Sequence, residues 1–442
     1  MRTYPHEVIS SVWCTSLIKG VIGGYLTGGE TQTHSSCCSQ SRCPADAGIP
    51  YCFTRDAFTS PALYQIERHT TCPRHIFQHI LQHIHHIHHI HHINHTAIKH
   101  PRPLRLSHLH QQQTMPAPLP VVDLRSFATV EDLAAELMRV GRDPGFFYVV
   151  GHDLVDAAAA PVFARAEAFF NAPLPAKLAY ANGSGDLGYT GLREETLSGA
   201  GPGDVKESFY LSDPGRTTQP LPAELEAGRK GMAAFFAGCD ALATTLLEGI
   251  AVGLGMPKDF LSRAHTGESC RMRLINYPPV SQLPSAPDAG QDVRAGAHSD
   301  YGSLTLLFRQ PSDQGGLQVS PARAGAGAWL DVPCLPDAVV VNIGDALEFW
   351  TAGRLRSTLH RVAFPRSATE NVGRLSIPVF IQPDRHVVLA PIGGRPGEPE
   401  KHGGGFGAEF LEVLRRKGYE DARPVTSSEH LERRIRATYA RV

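Results

Sequence analysis

Nine short apolar segments in the second half of the chain limit what this sequence can fold into. None is longer than seven residues, and glycine or proline pairs such as Pro278-Pro279 and Gly315-Gly316 separate them. Many short strands at this spacing are typical of a β-sandwich or barrel rather than of alternating βαβ units. The strands predicted from this pattern cover residues 272–277, 295–298, 303–308, 317–319, 329–332, 338–343, 347–350, 361–364 and 375–381.

The part of the chain that precedes these strands has helical patterning. Thr129 and Asp132 form a predicted capping box at the start of a first helix, and further helices are predicted near 158–170 and 223–254. A last helix is predicted over about 428–442. Because helices come first and strands follow, we expect an α+β fold whose strands form a double-sheet jelly roll with flanking helices.

The composition of the chain changes abruptly at Met115. Of the 23 histidines, 16 precede it, and residues 75–95 form a near-perfect His-His-Ile repeat. Isoleucines that recur every three residues spread around a helix and form no single apolar stripe. We interpret residues 1–114 as a low-complexity extension that is disordered or comes from a mis-called start, with metal binding and targeting as the alternatives. The predicted regions are 1–114 (extension), 115–255 (mostly helical, packing on the barrel), 256–400 (jelly-roll core) and 401–442 (C-terminal arm and helix).

Charge and hydropathy exclude several classes of function. The 42 basic and 43 acidic residues nearly balance, so the sequence does not favour a nucleic-acid or anionic-membrane partner. No run reaches the roughly eighteen apolar residues of a spanning helix, and residues 8–26, the nearest candidate, contain Lys19 and lack the features of a signal peptide. We therefore expect a cytoplasmic protein that acts on a small molecule, with no obligate protein partner.

Three polar residues of the strand-rich part form a metal-ligand pattern. His298 and Asp300 lie two residues apart at the end of a predicted strand, so their side chains point to one face of it, and His360 begins a later strand. Two neutral imidazoles and one carboxylate are the ligand set of non-haem Fe(II) oxygenases, which keep other coordination positions open. A His-x-Asp pair alone is a weak signal, because it is common. The pattern becomes far more specific because the pair is followed along the chain by the distant histidine and then by Arg374-Leu375-Ser376.

From Met115 to its last residue the chain resembles the isopenicillin-N-synthase-like branch of the 2-oxoglutarate/Fe(II)-dependent dioxygenases. This resemblance implies an oxidoreductase with a double-stranded β-helix, the fold called a jelly roll above. The stretches that carry it are Gly-Phe-Phe-Tyr-Val-Val-Gly-His-Asp (145–153), Gly-Tyr-Thr-Gly (188–191), Lys-Glu-Ser-Phe (206–209), His-Ser-Asp-Tyr-Gly (298–302), Gly-Gly-Leu-Gln-Val (315–319), Val-Asn-Ile-Gly-Asp (341–345) and Ser-Thr-Leu-His-Arg-Val (357–362).

The resemblance also implies roles for individual residues. The two histidines and the aspartate would bind Fe(II), and Arg374 and Ser376 would grip the far carboxylate of 2-oxoglutarate. Tyr277 stands where the family has a tyrosine that helps to hold this co-substrate. The implied reaction consumes O2, oxidises a substrate C–H bond and releases succinate and CO2. It needs no protein acid or base, because the cofactor chemistry carries it.

The substrate is implied only as a small molecule of the secondary-metabolite type. Two alternatives stay open: an Fe(II)/O2 oxidase of the same fold that does not use 2-oxoglutarate, and a non-catalytic metal-binding protein. The predicted substrate-pocket residues are Tyr189, Leu192, Lys206, Phe209 and Phe380.

Deleting residues 1–114 is expected to leave folding and activity unchanged, because every predicted strand and site residue follows the compositional break at Met115. The truncated and full-length chains would be compared in yield of soluble protein, thermal midpoint and turnover. Loss of soluble protein on truncation would contradict this interpretation of the extension.

Overall fold

The computed structural model describes residues 119–442 apart from several short gaps. The predicted extension and its boundary at Met115 lie outside the described residues, and so does the tract 393–407 that spans the predicted boundary near residue 400. The other gaps are residues 183–186, 199–202, 286, 288–290, 313–314, 322–326, 420 and 440–442.

The strand-rich second half is present, and strands from the first half join it. The described strands are β1 (Val121–Asp123), β2 (Phe146–Val150), β3 (Gly188–Thr190), β4 (Glu207–Leu211), β5 (Arg271–Tyr277), β6 (Val293–His298), β7 (Leu304–Arg309), β8 (Leu317–Val319), β9 (Leu330–Asp331), β10 (Val339–Ile343), β11 (His360–Ala363), β12 (Arg374–Ile381), β13 (Val388–Leu389) and β14 (Val425–Thr426).

Helices precede and follow these strands. Thr129 caps the first helix as predicted, because its side-chain oxygen accepts a hydrogen bond from the Asp132 backbone N–H at 3.2 Å. The single helix predicted over 223–254 is two helices that meet at Gly228. The described helices are α1 (Val130–Arg142), α2 (Ala160–Phe170), α3 (Leu174–Leu178), α4 (Ala223–Glu226), α5 (Arg229–Gly253), α6 (Asp345–Trp350), α7 (Ala408–Arg416) and α8 (Ser427–Tyr439).

One predicted strand is wrong. Residues 347–350 belong to helix α6, and all six residues of Asp345–Trp350 are buried. A short apolar run that is buried on every side lacks the periodicity that distinguishes a strand from a helix. The sequence pattern therefore could not decide between the two.

The strands form two main sheets. The large sheet has the order β1-β2-β10-β7-β12-β5-β4-β3, with β1 parallel to β2 and every other neighbouring pair antiparallel. The small sheet has the order β6-β11-β8-β9 and is antiparallel throughout. Mixed helices and sheets confirm the α+β class.

Strict alternation gives the large sheet two unlike faces. On β7, Leu304, Leu306 and Phe308 join the main apolar core with the helices, whereas the intervening residues face the small sheet. Ile275 of β5 is buried with Val362 of β11, so the inner faces of the two sheets pack together. The polar residues of the inner face consequently lie between the sheets, and there the candidate site is found.

Helix α5 forms the centre of the helical layer. Among the described residues it is long and apolar enough, by length and composition, to cross a membrane. Phe235, Leu246 and Ile250 are buried in the main apolar core, and Phe235 packs edge to face on Phe308 of β7 with ring centroids 4.8 Å apart. The apolar character of α5 is therefore explained by its packing on the large sheet.

A buried ion cluster fixes the C-terminal arm, defined here as residues 408–439, to helix α6. Lys417 donates hydrogen bonds to both Asp345 and Glu348, and Arg434 Nε donates to Asp345 at 2.7 Å. Burial alone would raise the pKa of Asp345, but Lys417 and Arg434 hold it well below its usual range. The arm is therefore attached by charge as well as by apolar contacts.

Replacing Lys417 with methionine is expected to lower the free energy of unfolding by about 3–5 kcal/mol, because two buried carboxylates would lose their shared cation. Arg415→Met is the matched control, since Arg415 is two residues away and its side chain is 66% exposed. Urea unfolding of both variants checks the prediction. Equal stability of the two variants would show that the cluster does not hold the arm.

Candidate metal centre

The three predicted metal ligands meet at one end of the small sheet. His298 ends β6 and His360 begins β11, and the two residues are direct partners across these antiparallel strands. The Nε2 atoms of His298 and His360 lie 3.8 and 3.7 Å from Asp300 Oδ1. One ligand atom from each residue lies within 4.8 Å of the others. The structure therefore brings together residues that are far apart in the sequence.

Backbone carbonyl groups orient both imidazole rings. His298 Nδ1 lies 2.8 Å from the carbonyl oxygen of Gly296, and His360 Nδ1 lies 3.4 Å from that of Thr358. Because a carbonyl oxygen only accepts, each Nδ1 carries the proton and each Nε2 presents a lone pair to the centre. Burial, together with the neighbouring His298, lowers the pKa of His360 to about 4. This histidine is consequently neutral, the form that binds metal, at neutral pH.

Asp300 is held so that one oxygen is free for a metal. Its Oδ2 accepts hydrogen bonds from Thr305 Oγ1 at 2.6 Å and from Asn342 Nδ2 at 2.8 Å. Burial would raise the pKa of Asp300, but His360, His298 and these hydrogen bonds lower it below the usual value. Sequence reasoning missed Thr305 and Asn342. The available signal was that each is a lone uncharged polar residue among apolar neighbours within a strand.

This donor set fits a divalent metal ion such as Fe(II). Two neutral nitrogens and one carboxylate oxygen converge, and each has a polar partner behind it that fixes its direction. The three ligands also line the cavity between the two sheets. Three protein ligands leave coordination positions for other molecules, so the site suits a metal that binds its reactants directly.

The far end of the same cavity contains a buried arginine that has no anionic partner among the described residues. Arg374 of β12 is 3% exposed, and its Nε and Nη1 atoms have no hydrogen-bond partner in the described part of the chain. Tyr277 is its direct partner on β5, and the guanidinium lies 4.9 Å from the centre of that ring. Burial lowers the pKa of Arg374 to about 9. Since unpaired buried N–H groups are costly, this position fits a ligand carboxylate, with the Ser376 hydroxyl beside it in the cavity.

Phe380 and Lys206, two of the predicted substrate-pocket residues, line this cavity. The Phe380 ring stacks on Tyr210 with centroids 6.3 Å apart. Lys206 donates to Glu195 and Asp204 at 2.6 and 2.9 Å, and Arg273 Nη2 donates to Glu195 at 2.5 Å. We call these four charged residues the substrate-side ion cluster: Glu195, Asp204, Lys206 and Arg273.

The other three predicted pocket residues do not line this cavity. Strand alternation turns Phe209 to the helix-covered face of the large sheet, where it packs on Phe169 with ring centroids 5.1 Å apart. Tyr189 lies on the same face, and its hydroxyl donates to Glu207 at 2.7 Å. Leu192 is half-buried in the loop that follows β3.

The sequence matches two known families of non-haem iron oxygenases. Residues 269–383 match the 2OG-Fe(II) oxygenase superfamily, and residues 119–230 match the family described as non-haem dioxygenase in morphine synthesis N-terminal. The chain is 32% identical over 328 residues to a UPF0676 protein of Schizosaccharomyces pombe, which covers 73% of this chain and 92% of that protein.

Two further comparisons concern proteins named for their co-substrate or ligands. The chain is 31% identical over 307 residues to the 2-oxoglutarate-dependent dioxygenase frbA of Dothideomycetidae sp. (strain 11243), with 61% of this chain and 87% of that protein covered. The crystal structure of a full-length Neurospora crassa protein in complex with α-ketoglutarate and thymine matches with a TM-score of 0.58 and 27% identity. That match covers 73% of this chain and 97% of the other.

Replacing Thr305 with valine is expected to weaken Fe(II) binding by about 10–100-fold, because the Asp300 carboxylate loses a hydrogen bond that orients it. The side chains have nearly the same shape, so packing changes little. Thr305→Ser keeps the hydroxyl and is the matched control. Fe(II) titration under nitrogen checks the prediction, and wild-type affinity in the valine variant would remove Thr305 from the support of the site.

Proposed function

Because this chain belongs to the 2-oxoglutarate/Fe(II)-dependent oxygenase superfamily, we propose that its metal centre oxidises a C–H bond of a small-molecule substrate. Fe(II) is the metal of this family, and 2-oxoglutarate and O2 are its co-substrates. The chain is a dioxygenase, and the roles of individual residues and the kind of substrate are our proposals.

One observation carries the assignment of the site: the three converging ligands share a single cavity with Arg374, which has no hydrogen-bonded anion among the described residues. We assign His298, Asp300 and His360 to Fe(II). Arg374 and Ser376 are assigned to the far carboxylate of 2-oxoglutarate. A metal site with a buried guanidinium in the same cavity suits a ligand that chelates through one end and carries a carboxylate at the other.

We also assign the two packed sheets to the double-stranded β-helix, or jelly roll, of this family. The support is the antiparallel pairing of β7 and β12 within the large sheet, the antiparallel pairing throughout the small sheet, and the contact of the two sheets through Ile275 and Val362. In this arrangement the large sheet supplies Arg374 and Ser376, while the small sheet supplies the two histidines. The cavity between the sheets would then be the interior of the jelly roll.

The residues of this chain hold and orient the reactants. When Fe(II), 2-oxoglutarate and O2 are bound, they supply the oxidising chemistry, and 2-oxoglutarate leaves as succinate and CO2. Arg374 fixes the far end of 2-oxoglutarate and thereby directs its 2-oxo end toward the ligands. Ala295 and Val362, which are 1% and 6% exposed, add apolar surface to the cavity wall. This chemistry requires no acid–base pair from the protein.

The walls of the cavity favour a small organic substrate, which we propose to be of the secondary-metabolite type. Phe380, whose ring stacks on Tyr210 behind it, provides aromatic surface, and Leu197 adds an apolar contact. The substrate-side ion cluster contains two cations and two anions in direct contact, so it is electrically balanced. This wall therefore does not demand a strongly charged substrate.

The wild-type protein is expected to release succinate and consume O2 only when both Fe(II) and 2-oxoglutarate are supplied. A panel of small molecules scored by succinate release would identify substrates by their stimulation over the uncoupled rate. Asp300→Ala should abolish turnover, because two neutral ligands hold Fe(II) poorly. Substrate oxidation at full rate without 2-oxoglutarate would instead establish an oxidase that does not use it.

A further inference from the structure

Three buried arginines lie in or behind the wall at the far end of the cavity. Arg294, Arg309 and Arg374 are 0%, 7% and 3% exposed. Each has at least one buried N–H group without a hydrogen-bond partner among the described residues. One carboxylate at this end would satisfy Arg374, and the other two guanidinium groups then need separate explanations.

Arg309 is placed to reach the same ligand as Arg374. It is the direct partner of Ser376 across β7 and β12, so its side chain stands on the inner face next to that hydroxyl. Arg374, two residues before Ser376 on the same face, is its diagonal neighbour, which is within reach of long side chains. Arg309 and Arg374 both line the cavity. Arg309 Nη1 donates to the carbonyl oxygen of Val332 at 2.7 Å, which anchors the group, and Nε has no partner in the part of the chain that the structure describes.

The charge around Arg309 differs from that around the other cavity cations. Lys206 and Arg273 contact carboxylates directly, whereas no carboxylate in the described part of the chain forms an ion pair with Arg309 or Arg374. Burial lowers the pKa of the Arg309 guanidinium, as expected for a cation without a counter-ion. Two adjacent buried cations repel each other unless an anion lies between them. The far end of the cavity is therefore short of negative charge.

Arg294 has a different environment. It does not line the cavity, and its Nη2 donates to the carbonyl oxygen of Pro278 at 2.5 Å. Its guanidinium lies 5.4 Å from the centre of the Tyr277 ring, behind the cavity wall. Arg294 therefore lies outside the ligand cavity and serves as an internal comparison for Arg309.

We propose that Arg309 is a second guanidinium for the far carboxylate of 2-oxoglutarate, acting with Arg374 and Ser376. It makes the enzyme selective for 2-oxo acids that carry a carboxylate at the far end. This inference rests on the proposed function, because its ligand is the proposed co-substrate. It adds a binding residue that the sequence motif, which contains only Arg374 and Ser376, does not include.

The test compares the binding of two 2-oxo acids to protein loaded with Fe(II) under nitrogen, measured by calorimetry. 2-Oxoglutarate carries the far carboxylate, and 2-oxopentanoate has a methyl group in its place. Arg309→Gln is expected to weaken 2-oxoglutarate binding by at least about tenfold, the size of one lost charge-assisted hydrogen bond. Binding of 2-oxopentanoate should be unchanged, because it lacks the group that Arg309 contacts.

The matched control is Arg294→Gln, which removes an equally buried cation outside the cavity. It should change the preference for 2-oxoglutarate over 2-oxopentanoate by no more than about twofold, since it makes no direct contact with the ligand. If Arg309→Gln leaves this preference unchanged, or weakens both ligands equally, Arg309 is a structural residue and the inference is overturned. If the wild-type protein does not bind 2-oxoglutarate, the proposed function fails as well.

A second variant covers the case in which Arg309→Gln does not fold. Arg309→Lys keeps a positive charge but loses the rigid guanidinium with its Nε donor. It is expected to bind 2-oxoglutarate severalfold more weakly and 2-oxopentanoate as the wild type does. Undiminished 2-oxoglutarate binding in a folded Arg309→Lys protein would show that the guanidinium does not contact the ligand.

Discussion

Asp300 joins the two sheets at the metal centre. Its Oδ2 accepts hydrogen bonds from Thr305 and Asn342 of the large sheet, while its Oδ1 faces the two histidines of the small sheet. A buried carboxylate is costly unless polar partners surround it, so both contacts constrain where the aspartate can lie. The separation of the sheets therefore determines how far the histidines stand from the carboxylate. The inner faces of the two sheets form the rest of the cavity wall.

The sequence predicted the metal ligands because their signal is local: a His-x-Asp pair at a strand end and a histidine at a strand start. It was less informative where function depends on which face of a strand a residue occupies. Phe209 and Lys206 lie on one short segment, yet only Lys206 faces the cavity, and a shift of one residue would exchange them. Thr305 and Arg309 were missed for a related reason, because their partners are set by pairing with distant strands. Helix α6 was predicted as a strand because all of its residues are buried, so its sequence does not show the alternation of apolar and polar residues that marks one exposed face.

The two ends of the cavity differ in how their charges are balanced. At the substrate side, the ion cluster pairs each cation with a carboxylate of the chain itself, so this wall can close without a ligand. At the far end, Arg374 and Arg309 have no such partner among the described residues, and their charge is balanced only when an anion enters. Because an unpaired buried cation is costly, folding leaves this end prepared for a carboxylate. The far end therefore requires an anionic co-substrate, whereas the substrate side accepts molecules that differ in charge.

The C-terminal arm reaches the metal centre through Asp345, although it contributes no ligand. Asp345 accepts hydrogen bonds from Ser299, which stands between the first two ligands, at 3.1 Å and from Ser357, three residues before the third, at 2.6 Å. Lys417 and Arg434 of the arm supply the positive charge that keeps this aspartate ionised in the interior. Without that charge Asp345 would either take up a proton or draw the two serines toward it. Both responses disturb the segments that carry the ligands. The position of the arm and the geometry of the metal centre are therefore coupled through one buried carboxylate.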